Sequence, residues 1–324
     1  LLDGLRDGVR PRSPVVSVGN LVVGGSGKTP LVGWLAERLF AEGFAVGVVA
    51  RGYRGRLARL SARPALVSRD GELLLSAEEA GDEAALLARN LPRASVAVGR
   101  VKARAAALLD SLEPDVIVVD DGLQHRRLAR DYDIAVLERG DWGDYLERGT
   151  RLLPWGRLRE PFGRLKDVGA VVFWDASEEE ARRLNLPFPS AAILRARRAA
   201  GGLVLDGKEH PPEMLRGKKV VAFCGVARPV RFFDDLKGLG AELAATRAFP
   251  DHARYDARRL AELEGLIRDH PGAVPVTTAK DAVKVPAGRL PGLAILRQRV
   301  EFAGDDGARL VGDVAAAIRG RRRG

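Results

Sequence analysis

Six residues constrain this chain more than any others. Gly24-Gly25-Ser26-Gly27-Lys28-Thr29 lie between a short apolar run, residues 15–18, and a stretch of helical spacing, Lys28–Ala41. Strand, glycine-rich loop, helix is the context that a phosphate-binding loop requires. Glycines let successive backbone N–H groups turn inward around phosphate oxygens where a Cβ would clash. The helix N-terminus adds partial positive charge. Lys28 can reach β- and γ-phosphates, and the Thr29 hydroxyl can ligate Mg²⁺. The general pattern has glycine where Val22 stands, so the first half of the loop departs from it. A flexible glycine turn with a surface lysine is the bland alternative, and the strand–loop–helix setting argues against it.

The rest of the first half keeps the same alternation. Leu31, Trp34, Leu35 and Leu39 form one face of the helix, and Gly43 stops it. Residues 45–50, 96–98, 116–119, 134–137 and 170–174 read as buried strands, and 76–90 and 100–112 as helices. Ser76 and Glu79 are spaced as a capping box, with Asp82 after Gly81 as an alternative start. Strands alternating with helices predict a mainly parallel sheet covered on both faces, a three-layer α/β/α domain. Prolines cluster over residues 184–212, where two short β-like runs, 192–194 and 203–205, flank Gly201-Gly202 like a hairpin connector. A second α/β series follows, with strands at 220–224, 243–249, 274–278 and 293–296 and helices near 230–236, 257–267 and 307–318. The expected division is a P-loop domain over 1–185, a two-stranded linker over 186–212, and a smaller α/β domain over 213–324, whose last helix can pack back on the first.

At 324 residues the chain is long enough for two domains, and 46% hydrophobic with 30% charged residues describes a globular protein. No apolar run is long enough to cross a bilayer. Cys224 is the single cysteine, which excludes an intrachain disulfide and fits a reducing cytosol. The net charge of +10 favours polyanions: nucleic acid, anionic headgroups or phosphorylated substrates. Part of it sits at Arg319 and Arg321–Arg323, which can equally be a solvated tail. The chain begins Leu1-Leu2-Asp3 without methionine, so a native start further upstream is expected.

The strand at 116–119 runs into Asp120-Asp121. An acid there holds Mg²⁺ directly or through water in P-loop enzymes, because strand C-termini face the crevice beside the phosphate loop. The bland alternative is a turn at Asp121-Gly122. His125 follows closely and reads as a base, a phosphate donor or a structural hydrogen-bonder. Asp82 can cap a helix, or take a proton from an acceptor hydroxyl as the γ-phosphoryl transfers.

Taken in order, these segments resemble the tetraacyldisaccharide 4′-kinases of lipid A biosynthesis. The resemblance spans nearly the whole chain. It is carried by Ser17–Leu21 leading into Gly24–Pro30, Arg51-Gly52-Tyr53, Gly81-Asp82-Glu83, Asp120–His125, Leu152-Leu153-Pro154 with Leu158–Pro161, Gly225–Pro229, Asp251-His252, and Thr277-Thr278 with Lys280–Lys284. The departure at Val22 is itself similar to this family's loop. The resemblance implies ATP-dependent phosphorylation of the 4′-hydroxyl of a tetraacylated glucosamine disaccharide 1-phosphate, giving lipid IVA, at the cytoplasmic face of the inner membrane. It implies two α/β/α domains joined by a two-stranded linker, closing over the nucleotide. ATP and Mg²⁺ are the expected cofactors, the glycolipid the expected partner, and a monomer the expected state.

By the same resemblance, Gly24, Gly25, Ser26, Gly27, Lys28 and Thr29 bind the nucleotide, and Thr29, Asp120 and Asp121 serve the metal. Asp82 matches the family's catalytic acid and His252 the histidine that supports it from the second domain, with Lys28 as the third catalytic group. Tyr53, Glu83, His125, Arg159 and Glu160 match site-lining positions, and Arg51 is expected to contact substrate phosphate. By itself Asp251-His252 reads as a cap and a surface histidine. Ala279 replaces a frequently acidic position, and residues 141–151 form a longer segment than usual without its Gly-Asn-Gly turn. The family also carries an N-terminal amphipathic segment, whereas only residues 1–10 precede the first strand here. Membrane attachment is therefore either weakened or carried by basic surface and apolar patches elsewhere.

Two other readings compete. A soluble P-loop kinase or NTPase for another small molecule shares the phosphate loop, but a GTPase would need Asn/Thr-Lys-x-Asp, and Lys280-Asp281 are adjacent. A nucleic-acid binder would need a basic recognition helix or interleaved aromatics. Aromatics are only 6% and the arginines are scattered, so no nucleic acid is expected.

Overall fold

The computed structural model describes residues 8–23, 27–61, 63–148, 151–185 and 187–323, with side chains at 144–148 and 323 left aside. Contacts divide the chain into two compact units, residues 1–198 with 300–324, and residues 199–299.

In the first unit the strands are β1 (Val15–Asn20), β2 (Val46–Ala50), β3 (Ala65–Arg69), β4 (Glu72–Leu73), β5 (Ser95–Val98), β6 (Val116–Asp120), β7 (Tyr132–Glu138), β8 (Ala170–Trp174) and the start of β9 (Ala192–Leu205). They stand in the order β9-β8-β7-β1-β6-β2-β5-β3-β4. All pairings from β9 to β5 are parallel; β3 and β4 add an antiparallel edge that the sequence reading did not contain. The two-residue alternation of a strand divides the apolar runs between faces. Val116 and Val118 pack with Leu31, Leu35 and Leu87 on one side. Ile117 and Val119 pack with Ala103, Ala106 and Leu109 on the other. The sheet is thus covered on both faces, a P-loop NTPase-like three-layer architecture. Helix Asp306–Arg323 belongs to this unit, placing Leu310, Val314 and Ile318 in the core of Leu31 and Leu35. Its arginines are not a free tail: Arg319, Arg321 and Arg322 pair with Glu42, Asp131 and Asp115.

One expected helix is two. Ser76 closes a capping box over Ala77–Ala80, and a new helix then starts at Asp82–Asn90. Gly81 makes the break with φ 90°, and a Cβ there would lie 2.6 Å from the Tyr53 carbonyl oxygen. Both candidate starts are therefore used, and the second puts Asp82 in the first turn of a helix.

The chain passes between units twice, near residues 198–199 and 299–300. The runs at 192–194 and 203–205 are parts of one continuous strand, β9, which hairpins onto β10 (Lys208–His210). The second unit continues with β11 (Lys219–Cys224), β12 (Glu242–Ala248), β13 (Val274–Thr278) and β14 (Ala294–Phe302), parallel in the order β12-β11-β13-β14. Helix Pro229–Gly238 buries Phe232 and Leu236 against Val220 and Ala222 on one face. Helix Ala257–Arg268 buries Leu260 and Leu263 against Phe223 on the other. This is a second, smaller α/β/α arrangement.

Candidate active site

The site in the first unit forms where β1 and β6 end side by side, Val18 being in register with Asp120. Gly24, Gly25 and Ser26 lie outside the described residues. Gly27 is left-handed (φ 73°), and the helix Lys28–Ala41 opens directly after it. Lys28 Nζ lies 3.2 Å from Asn20 Oδ1 and 3.4 Å from Asp121 Oδ1. The Thr29 hydroxyl donates to Asp120 Oδ2 at 2.9 Å, which joins the phosphate loop to the acidic pair.

The two aspartates differ sharply. Asp120 is buried, and its Oδ1 accepts no hydrogen bond among the described residues. Burial pushes its carboxyl up to about 6, helped by the charge of Glu83 and opposed by Lys102 and Lys28. Burial also works against Asp121, but Lys28, Lys102 and Arg159 outweigh it and hold that carboxyl near 2. Arg159 Nη1 reaches both Asp121 oxygens at 3.1 Å. An orphaned buried carboxylate oxygen beside a threonine hydroxyl is a hard-oxygen set suited to Mg²⁺. The residues present therefore fit the metal expected at Thr29 and Asp120. Asp121 is committed to Lys28 and Arg159.

Glycines press the turn after β6 against β1. A Cβ at Gly122 would lie 2.5 Å from Ser17 Oγ, and one at Gly19 would lie 2.6 Å from Leu123 Cγ. Gln124 Nε2 donates to the Asn20 carbonyl at 2.8 Å. His125 is half-buried, and burial, with Lys102 and Arg51 adding and Asp121 opposing, lowers it to about 4. A ring so lowered is neutral near pH 7 and keeps one N–H donor and one acceptor nitrogen, so it is consistent with the base, phosphate-donor and structural readings alike.

Lys102 escaped the sequence reading. It looks like one surface lysine in an alanine-rich helix, yet it is 0% exposed. Its ammonium donates to the Asp120 and Asp121 carbonyls, the latter at 2.8 Å. Burial brings it down to about 8, against the upward pull of both aspartates. It clamps a turn in which Asp121 itself has φ 57°. A lysine within the first residues after a strand, facing the acids of the next strand, was the available signal, and sequence spacing alone does not show that facing.

Asp82 is half-buried at its helix start, and Glu83 is near enough to act on Asp120. Arg51, just after β2, acts electrostatically on His125 and Lys102. Tyr53 is half-exposed, with the Arg54 guanidinium 5.6 Å from its ring. Glu160 is buried, and its Oε2 lies 3.6 Å from Arg164. The Val22 departure has a packing cause: Val22 bridges Leu158 and is buried in the core with Leu21 and Leu158. The Arg159 N–H donates to the Leu21 carbonyl at 2.7 Å, so the loop and the Arg159 segment are built as one piece.

In the second unit His252 has φ 60°, and its N–H donates to the Gly225 carbonyl at 3.1 Å. Its Nε2 lies 3.3 Å from Lys280 Nζ, which also pairs with Asp251 at 3.1 Å. The same Nε2 lies 3.7 Å from Asp251 Oδ2, so Lys280 and Asp251 together face one nitrogen of the ring. Asp281, fully buried, holds the Gly225 N–H at 2.9 Å and pairs with Lys284 at 2.8 Å. The histidine therefore sits on a fixed support, not on a loose surface turn.

A family profile described as tetraacyldisaccharide-1-P 4′-kinase matches residues 2–316. The tetraacyldisaccharide 4′-kinase of Anaeromyxobacter dehalogenans is 42% identical over 306 residues, covering 90% of this chain and 77% of that one. That of Chlorobaculum tepidum is 37% identical over 281 residues, covering 84% and 77%. The crystal structure of LpxK from Aquifex aeolicus in complex with ATP superposes with a TM-score of 0.77 at 32% identity, covering 96% of this chain and 90% of that one.

Proposed function

The chain belongs to the tetraacyldisaccharide 4′-kinase family, and we propose that it performs the family's reaction through Lys28, Thr29, Asp120, Asp121 and Asp82. It is an ATP-dependent phosphotransferase of lipid A biosynthesis, acting on the 4′-hydroxyl of the tetraacyldisaccharide 1-phosphate. The observation that supports this residue assignment is the Thr29–Asp120 hydrogen bond, which joins the phosphate loop to a buried carboxylate with an oxygen to spare.

Phosphoryl transfer needs positioning and charge stabilisation more than covalent help. Gly27 and the helix start offer backbone N–H groups to phosphate oxygens, and Lys28 places a cation where charge gathers on the γ-phosphoryl. Asp121, paired with Arg159, fixes the direction of Lys28. Thr29 and Asp120 would hold Mg²⁺, which would supply neutralisation of phosphate charge. Asp82 takes the proton of the acceptor hydroxyl, and Glu83 beside it keeps that region anionic. His252 is assigned to the same proton transfer from the family pattern, with Lys280 and Asp251 facing its Nε2. Arg51 and Tyr53 receive the substrate's phosphate and sugar. The enzyme works at the cytoplasmic side of the inner membrane as a peripheral protein; among the described residues no helix is long and apolar enough to cross a membrane.

The test is incubation with labelled ATP and the tetraacyldisaccharide 1-phosphate in detergent, with product identification. Transfer to the 4′-oxygen is expected. Label released only as inorganic phosphate, or a strong preference for GTP, sinks the reading.

A further inference from the structure

Residues 151–158 form a closed loop. The Leu158 N–H donates to the Arg151 carbonyl at 3.3 Å, Leu153 N–H to the Leu158 carbonyl at 2.9 Å, and Trp155 N–H to the Leu152 carbonyl at 3.0 Å. Gly156 is required at the return, since a Cβ there would lie 2.1 Å from the Arg151 carbonyl oxygen. The loop satisfies much of its own backbone, so its tip has no structural need for apolar side chains. The tip is nevertheless apolar. Trp155 is 82% exposed, Leu153 52% and Leu152 43%, with Pro154 between them. The other tryptophans are covered: Trp142 and Trp174 are buried and Trp34 packs against the core. Val23, 41% exposed, extends the patch, its N–H bonded to the Arg157 carbonyl at 2.8 Å.

Exposed apolar clusters mark surfaces that are covered in use. The flanking charge points to what covers this one. Arg151 and Arg157 are both exposed on either side of the tip. Asp141 lies 3.5 Å from Arg157, and Arg151 has no ion pair among the described residues. Tryptophan with aliphatic neighbours suits the headgroup level of a bilayer, and arginine suits its phosphates. A second copy of the chain fits poorly, because a two-fold contact would bring the arginines of the two tips together.

We propose that residues 152–155 dip into an anionic lipid surface, with Trp155 at headgroup level and Arg151 and Arg157 against lipid phosphates. The consequence follows from connectivity within the unit. Val23 and Arg159 tie this loop to the phosphate loop and to Asp121. Docking at 152–155 therefore brings the phosphate end of the site to the plane where a membrane-held acceptor presents its headgroup. The proposal rests on the glycolipid kinase reading for its purpose, and its test does not use the glycolipid.

The full chain is mixed with substrate-free vesicles of phosphatidylethanolamine and phosphatidylglycerol, about three to one, and with phosphatidylcholine vesicles. Binding is read by co-sedimentation and by tryptophan fluorescence. The wild type should bind the anionic vesicles with a blue shift. Trp155→Ser should lose the shift and bind about tenfold more weakly. Leu153→Ser should bind more weakly as well, and Arg151→Gln should weaken binding to the anionic vesicles selectively. All three should keep wild-type melting temperature and turnover in detergent. Wild-type protein that ignores the vesicles, or Trp155→Ser protein that binds them normally, overturns the proposal. So does a wild type that self-associates through Trp155 while its vesicle binding survives Trp155→Ser. Failure of wild-type phosphotransfer in detergent strikes the kinase reading alone, since the vesicle assay contains no acceptor.

Discussion

Asp120→Asn should make the protein more stable and inactive. The Asp120 carboxyl is raised from 3.8 to about 6, first by burial and then by Glu83. About two units at roughly 1.4 kcal/mol each amounts to ~3 kcal/mol held against the folded state above pH 6. The sign follows from linkage. The folded pKa lies above the unfolded one, so the folded state gains from the neutral carboxyl below pH 4 and loses that advantage as the pH rises through 6. Asparagine keeps the shape and a group to accept from Thr29, but has no charge to bury. For a domain of this size ~3 kcal/mol corresponds to roughly 6–12 °C in melting temperature. Thermal unfolding without Mg²⁺ should show the variant melting higher at pH 7.5, with about half of the gap left near pH 5. Phosphotransfer should be abolished, and the melting shift that Mg²⁺-ATP gives the wild type should shrink. A variant that melts lower than the wild type at pH 7.5, or a gap that does not narrow toward pH 5, would show that Asp120 is not held against its burial.

Lys28→Ala should abolish phosphotransfer and weaken ATP binding, whereas Asp82→Ala should abolish transfer and leave ATP binding largely intact, as read by calorimetry beside turnover; near-normal turnover in Asp82→Ala removes the base assignment. His252→Ala should lower kcat more than it raises the apparent KM for the acceptor, because a proton-transfer group acts in the transition state; unchanged kcat leaves His252 a structural role only. Lys102→Met should destabilise the fold by about 3–5 kcal/mol, because the buried acids lose their cation, measured by urea unfolding; a change below 1 kcal/mol would mean that the clamp on the Asp120–Asp121 turn is idle.

Much of the architecture was legible because it rests on local periodicity. The helix Lys28–Ala41 and the strands at Ala170–Trp174 and Val274–Thr278 fall where the apolar spacing put them. The antiparallel edge was not legible, because Ala65–Arg69 and Glu72–Leu73 are short, half-exposed and poorly patterned, and pair only because β5 offers an edge. The break at Gly81 was ambiguous for a related reason: two valid helix starts compete locally, and the nearby Tyr53 carbonyl decides that both are used.

By itself the sequence determined the strand and helix that flank the glycine-rich loop, the acids at a strand end and membership of a family, because these follow from local spacing and residue type and do not depend on distant neighbours. The division of labour was decided only by tertiary structure. Asp120 and Asp121 are chemically identical and adjacent, yet one is pushed to about 6 and the other held near 2. Lys102, 18 residues upstream of Asp120, is buried beneath both. Val22 departs from the general loop because Leu158 packs on it. In each case the deciding quantity is desolvation or close packing by residues far along the chain, and folding alone brings those together.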